Sequence, residues 1–499
     1  MQKQTNNYLF LAAVAILSLF AGGHWNIPVA AWLIPIVALR FFRQSERPWR
    51  AAGLLWLATA IPTAISWQGA TFFAQIHPAA ELLFFLLTSP IGLIPYAVDR
   101  AYYRKAATAW WITLIYPIAA TAIDFFSAGG SPVGSFGAVA YSQREFLLMM
   151  QLSAIGGIWI IPFVIGWCAS IINLIWDQHF QLNRFSSASL ITMLALLLLG
   201  FGRVATAAPA SQQVPVAGFS LPLGEIRRLL DLKQQGDPAA FDQAIRQVHA
   251  EQLAEIRRLA EQGARIVVLQ EGAGMGEVAH VDALLRDAAA LAKQQQIYIV
   301  LPTVRFGSGQ TVNAVQIIDP QGQIVLEHIK YGGTMFEGTQ PGNGVLQVVD
   351  TPYGRISAVI CWDADFPDTI RQAGMQQVDL LFIPANDWEG VKDIHAGMAT
   401  FRAVENGMSI FRQTGQGISL IADPYGRITE RIDQYREPAS SRMSAIMQAN
   451  IPLMRQATLY PQIGDAIGIL AQLGLLGLIG GLLVQRWRMP KQPKVALSQ

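Results

Sequence analysis

Apolar positions along this chain change their spacing twice. Up to residue 207 they form near-continuous stretches, at 8–22, 26–42, 51–67, 80–98, 107–126, 146–175 and 187–207, and one more follows at 463–485. Stretches of about 20 apolar residues match the hydrocarbon core of a bilayer, so the pattern predicts seven spans and later an eighth. Pro62, Pro90, Pro95 and Pro117 interrupt it, and the sixth stretch is long enough to cross at a tilt. Between the seventh and eighth stretches the pattern is different. Short β-rich runs (VPVAGFS, ARIVVLQE, QIYIVLPTVRF, TVNAVQIIDP, ISAVICW, VDLLFIPA, MSIFRQTG, ISLIADPYG) alternate with amphipathic helices predicted over 238–262, 280–296 and 392–407. In the first of these helices, Ile245, Val248, Leu253 and Ile256 recur at helical spacing. Strands interleaved with helices predict a layered α/β domain, and their near-continuous apolar character predicts a sheet covered on at least one face. The expected organisation is a seven-span helical bundle over 1–207, an α/β domain over 208–462, and a last span with its tail over 463–499.

Composition agrees with a membrane protein. The chain has 52% hydrophobic and 14% charged residues and a mean hydropathy of +0.33, where soluble chains carry roughly a quarter charged residues. A net charge of +2 and the lack of a basic, aromatic-interleaved patch argue against nucleic acid as a partner. With two cysteines, one of them (Cys168) inside an apolar stretch, there is no disulfide framework and no cysteine-rich zinc site. No metal or other cofactor is expected.

Basic residues give the spans a direction. The connector at 40–50 holds Arg40, Arg43, Arg47 and Arg50. That at 99–106 holds Arg100, Arg104 and Lys105, that at 176–186 holds Arg184, and the tail holds Arg486, Arg488, Lys491 and Lys494. The alternate connectors, around 22–26 and 68–79, have neither Lys nor Arg, and 127–145 has only Arg144. By the positive-inside rule both termini are cytoplasmic and residues 208–462 lie outside. Glu81 and Asp124 are expected at the outer interface. A proton relay would need several facing carboxylates deep in the spans, so the pattern does not favour a transporter.

Three segments of the external domain end an apolar strand on a reactive residue. IVVLQEGAG ends on Glu271, IVLEHIKYGG on Lys330 and ISAVICWDADFP on Cys361. Residues at strand ends along one sheet rim can converge on a pocket. A cysteine attacks carbonyl carbon as a thiolate and needs a base or a nearby cation. A glutamate can take and return the proton, and a lysine can stabilise an oxyanion together with the backbone N–H after the cysteine. His328, two residues before Lys330, and His395, in a loop-to-helix segment, are not placed to replace Glu271. Cys361 is the only cysteine of 208–462; a free thiol outside the cytoplasm is exposed to oxidation and makes most sense if it is used.

The Glu271–Lys330–Cys361 order, with the segment CWDADFPDTIRQAGMQQVDLLFIPANDW, resembles the carbon–nitrogen hydrolase (nitrilase) superfamily. Seven spans, an external domain of that kind and a last span are similar to the apolipoprotein N-acyltransferase family. The likeness extends to GSFGAVAYSQ at 134–143 and to NDWEGVKDIHAGMATFRAVENGMSIFRQTGQGISLIADPYGRI at 386–428. The resemblance implies an α-β-β-α sandwich at 208–462, on the periplasmic side of a bacterial inner membrane. It implies Glu271 as general base, Lys330 as oxyanion stabiliser and Cys361 as nucleophile. The implied reaction is a two-step acyl transfer through a cysteine thioester, with a membrane phospholipid as donor and the N-terminal amine of a diacylglyceryl-cysteine lipoprotein as acceptor. The bundle then serves as the lipid-access route.

The chain also departs from that family. The segment after the lysine reads YGGTMFEGTQPG where a Leu-Val-Pro-Phe-Gly-Glu-like one is expected, leaving Glu337 as the second glutamate. Trp362-Asp363 replaces the usual Tyr-Glu after the cysteine, and Gln270 replaces the Pro before Glu271. The opening strand VPVAGFSLPLGE lacks the customary Gln-Gly-Asn and its downstream Trp. Only 31 residues separate Lys330 from Cys361, so the lid is short. These features leave open a membrane-tethered nitrilase-type amidase acting on a small or lipidic amide with water as acceptor. A mobile apolar lid over 331–345 would suit acyl chains, and a short polar one would suit small amides. Arg402 and Glu405, three apart on the helix ATFRAVENG, are expected to pair or to brace the catalytic strand.

Overall fold

The computed structural model describes residues 2–106, 109–207, 212–307, 309–437 and 442–488. The expected domain start at 208, the first two residues of the fifth stretch, Lys491 and Lys494, and the side chains of Arg486 and Arg488 lie outside the described residues.

Among the described residues, five helices are long and apolar enough to cross a membrane: Pro78–Lys105, Trp110–Gly129, Ile160–Asp177, Arg184–Ala205 and Ala466–Gln485. The first three stretches expected to span are helical but do not reach that standard. Gln2–Ser18 is apolar only from Asn7 onward, Pro28–Gln44 has 17 residues, and Pro48–Ser66 is diluted by Arg50, Thr59, Pro62 and Thr63. The sixth stretch, expected as one tilted span, is broken. Short helical turns at Leu147–Met150 and Ser153–Gly156 precede Gly157, and a separate helix begins at Ile160. Gly157 sits at φ 64°, and a Cβ there would overlap the Tyr460 ring, so the break is built into the packing.

Glu81 and Asp124 are structural. Glu81 is buried and accepts bonds from the Gly69 and Thr71 amides (2.8 and 3.0 Å) and from the Thr71 hydroxyl (2.8 Å). Asp124 accepts from the Val139 amide at 3.2 Å.

The α/β domain is built on two sheets. In spatial order the first runs Ser444–Leu453, Gln212–Ser220, Ile266–Leu269, Tyr298–Phe306, Val312–Ile318, Ile324–Ile329. The second runs Ile428–Asp433, Ile418–Ala422, Ser409–Arg412, Leu380–Phe382, Gly354–Ala358, Val349–Thr351. Alternation along each strand separates two cores. Ile266 and Val268 face the other sheet, where they meet Ile356, Leu380 and Phe382. Val267 and Leu269 face helices Pro238–Glu261 and Val278–Gln295. On the far side, Leu381 and Ile410 pack on helices Pro367–Met375 and Lys392–Asn406. The result is the α-β-β-α sandwich, with the bundle docked against it. A cluster around Trp67, Tyr141, Met150 and Trp159 joins Ile394, Met398, Phe401 and Val404 of the Lys392–Asn406 helix.

Candidate active site

Lys330 follows directly on its strand, and Glu271 and Cys361 lie just beyond the ends of theirs, so that all three come together between the two sheets. The Lys330 ammonium is fully buried and donates to Glu271 Oε1 at 2.7 Å, and it also pairs with Glu337. Asn313, on the neighbouring strand, donates to the same Glu271 oxygen at 2.8 Å. One cation thus serves two carboxylates. Burial pulls the Lys330 pKa down, but Glu271, Cys361 and Glu337 outweigh it and hold it well above the ordinary lysine value. Burial raises the Glu337 carboxyl to about 7 against the pull of Lys330.

Cys361 opens a short 3-10 turn, Cys361–Asp365, with φ at 47°, a left-handed conformation uncommon for a residue with a side chain. Its N–H donates to the Pro384 carbonyl at 2.8 Å, and its side chain is buried. Burial and the negative charge of Glu271 raise the thiol pKa well above the ordinary value, while Lys330 opposes them.

Asp363 fixes this turn to the end of the lysine strand. Its carboxylate accepts from the amides of Ile360 (2.8 Å), Tyr331 (2.8 Å) and Gly332 (2.6 Å) and faces His328 Nε2 at 2.8 Å. Trp362 packs edge-on to Phe336 and tilted to Trp388, with ring centroids 6.0 and 6.3 Å away. Gly333, at φ 72°, lies so close under the Trp362 ring that any Cβ would overlap it. Glu337, Trp362 and Asp363 therefore all touch the trio or its supports.

These aromatics close one end of a cavity of about 610 Å³ that runs into the bundle. Its lining includes Phe72, Phe336, Trp362 and Trp388 and, from the bundle helices, Tyr96, Tyr116, Ile165 and Gly166. The hydroxyls of Tyr96 and Tyr116 meet at 3.0 Å, and beyond them lie Phe42 and the buried Arg43–Asp99 pair at 2.8 Å.

Some of this lay outside the sequence reading. Asn313 gave no signal beyond an amide in an apolar strand. Asp387, His395 and Arg412 form a buried cluster, and a ring nitrogen of His395, a carboxylate oxygen of Asp387 and the Cys361 sulfur all lie within 4.8 Å of one another. His395 reads in sequence only as not placed to replace Glu271; the turn after Asn386 brings its helix back beside Cys361. Arg402 and Glu405 do pair, at 3.1 Å, but they brace the bundle and not the catalytic strand. Arg402 donates to the Tyr141 hydroxyl at 3.0 Å and Glu405 accepts the Ile158 amide at 3.0 Å.

Residues 234–456 match the carbon–nitrogen hydrolase family. Over 355 residues the chain is 27% identical to an apolipoprotein N-acyltransferase of Pseudomonas putida, covering 64% of this chain and 65% of that protein. Those of Gloeobacter violaceus and Shewanella oneidensis are 34% and 29% identical over 139 and 136 residues, each match spanning a quarter of the relative. An amidase from Nesterenkonia sp. superposes with a TM-score of 0.38 at 19% identity, covering 51% of this chain and 95% of the amidase.

Proposed function

We propose that this chain, which matches the carbon–nitrogen hydrolase family over 234–456 and is similar to apolipoprotein N-acyltransferases, moves an acyl chain from a membrane phospholipid, through a Cys361 thioester, to the N-terminal amine of a diacylglyceryl-cysteine lipoprotein. The observation that carries the proposal is the cavity: an apolar chamber in the bundle that ends at Trp362, the residue next to the thiol. A soluble small amide has no use for such a chamber, whereas an acyl chain fills it.

In the first half-reaction Glu271 takes the thiol proton as Sγ attacks the ester carbonyl carbon. The carbonyl electron pair moves to oxygen, where Lys330 stabilises the charge. Collapse breaks the bond to the glycerol oxygen, which receives the proton from Glu271 and leaves in the lysophospholipid. In the second half the lipoprotein amine attacks the thioester carbon and loses its proton to Glu271. The Cys361 sulfur leaves, is reprotonated, and an amide remains. Asp363 holds the nucleophile turn, and Glu337 shares Lys330 with Glu271. The catalytic domain acts on the periplasmic side of a bacterial inner membrane, with both chain termini cytoplasmic.

The test is mass spectrometry of the full-length protein after incubation with phospholipid, followed by addition of a diacylated lipopeptide. An acyl adduct on Cys361 that the lipopeptide discharges is the expected result. Amide hydrolysis without an adduct would overturn it, and discharge by water alone would rule out the proposed acceptor.

A further inference from the structure

We infer that His395, together with Asp387 and Arg412, is a positioning residue for the nucleophile: the three clamp the segment Pro384–Asp387, whose carbonyls hold the main chains of both Glu271 and Cys361, and they balance the charge beside Sγ. The inference rests on the reading of Cys361 as the nucleophile and adds a second wall to its pocket.

The short segment 384–387 serves both sides of the site. The Pro384 carbonyl accepts the Cys361 N–H at 2.8 Å, and the Ala385 carbonyl accepts the Glu271 N–H at 3.3 Å. Base and nucleophile, which come from different sheets, are therefore spaced by one stretch of backbone. That stretch is fixed in turn at Asp387. Its carboxylate receives Arg412 Nη2 at 3.0 and 2.9 Å and His395 Nδ1 at 2.8 Å, and its amide donates to the Gly415 carbonyl at 3.0 Å. All three side chains are buried.

Geometry alone would be satisfied by a neutral hydrogen-bonding residue at 395, but the charge pattern is not. Asp365 lies on the other side of the ring, 3.4 Å from Nε2, and this nitrogen has no hydrogen bond. Two carboxylates, Asp365 and Asp387, are thus met by two cations, Arg412 and an imidazolium. Burial opposes the charge on His395, but Asp365 and Asp387 overcome it and hold its pKa at about 9. The charges acting on Cys361 are Glu271 and Lys330 on one side and Asp387 and Arg412 on the other, with a ring nitrogen of His395 within 4.8 Å of the sulfur; Glu337 reaches them through Lys330 and Asp365 through His395. Without the imidazolium, the second wall would be net negative beside the forming thiolate.

The experiment uses the full-length protein in phospholipid nanodiscs and two variants, H395Q and D387N. The rate of alkylation of Cys361 by iodoacetamide is followed against pH, with peptide mass spectrometry separating Cys361 from Cys168, and the rate of acylation by phospholipid is measured alongside. At about pH 7, where the imidazolium is present, H395Q removes a positive charge and is expected to slow alkylation about tenfold, the equivalent of one pH unit in thiolate; well above pH 9, where His395 is neutral, the difference should shrink. D387N removes a negative charge and is expected to speed alkylation at about pH 7. Both should acylate at least tenfold more slowly, because the spacing of Glu271 and Cys361 is lost. Opposite changes in the neutral-pH alkylation rate support the inference; rates that stay put or change together overturn it. If H395Q does not fold, D387N decides alone, faster alkylation with slower acylation supporting the inference and an unchanged alkylation rate overturning it. Alkylation needs no lipid, so these rates decide the matter even where no acyl adduct forms.

Discussion

Ser135 and Asp365 join the bundle to the Cys361–Asp365 turn at a single point. The Asp365 carbonyl accepts both the Ser135 amide, at 2.8 Å, and the Ser135 hydroxyl, at 2.7 Å. The hydroxyl also meets Tyr141, whose own hydroxyl receives Arg402. The turn that carries Cys361 is therefore held from its far end by a loop of the bundle.

Ser135→Ala keeps the amide bond and deletes the hydroxyl bond, a loss on the order of 1 kcal/mol. Acylation of Cys361 by phospholipid should fall several-fold, while its alkylation by iodoacetamide changes little. Equal loss of both, measured by mass spectrometry on one sample, would mean that the serine supports the thiol itself and not its register with the cavity.

Lys330→Met leaves the buried Glu271 and Glu337 without their shared cation. Removing one partner of a buried pair typically costs about 3–5 kcal/mol, so the thermal midpoint of the domain should drop clearly and thioester formation should cease. Glu337→Gln keeps the Lys330–Glu271 bond and should retain most of the stability. A thermal shift assay beside the adduct assay separates the two effects.

Stability should fall as the solution becomes more alkaline across the neutral range. His395 is held at about 9, above the ordinary imidazole value, so the stability it contributes is complete below about pH 6.5 and is lost as pH rises through 9. Burial raises Glu405 to about 7, against the pull of Arg402, and burial likewise raises Glu337. A carboxyl with a raised pKa binds its proton more tightly in the folded state, so folding loses stability as pH climbs from about 4.5 through 7. Both effects have the same sign. Thermal midpoints from pH 5 to 9 check it, and Glu405→Gln should flatten the lower part of the curve.

Tyr96, Tyr116 and, one helical turn from Tyr116, Ala120 line the cavity. Ala120→Leu adds bulk inside it and should move donor preference toward shorter chains without abolishing acylation. Competition among vesicle phospholipids of graded chain length, read as the adduct mass on Cys361, tests this. An unchanged preference would place the chain elsewhere.

Much of this architecture was legible because it rests on periodicity. The three amphipathic helices and the eight strand runs appear where their spacing placed them. Glu271, Lys330 and Cys361 stood out because each is a reactive residue ending an apolar run. The break at Gly157 was not legible: 146–175 is apolar throughout, and what stops the helix is a ring contact from Tyr460, three hundred residues away in sequence. The same holds for His395. Its neighbours in sequence are unremarkable, and its partners Asp365, Asp387 and Arg412 come from three other elements, so only the folded chain assembles the cluster.

The docking contacts of helix Lys392–Asn406 also bear on biogenesis. Glu405 needs the Ile158 amide, Arg402 the Tyr141 hydroxyl, and Asp365 the Ser135 loop. All these partners are on the bundle side of the chain. A sandwich severed from its bundle would expose an apolar face around Ile394, Met398 and Phe401 together with half-satisfied charges. Truncation is therefore the wrong route to a soluble form of this protein. The turn that carries Cys361 has its full set of contacts only when the sandwich is seated on the bundle.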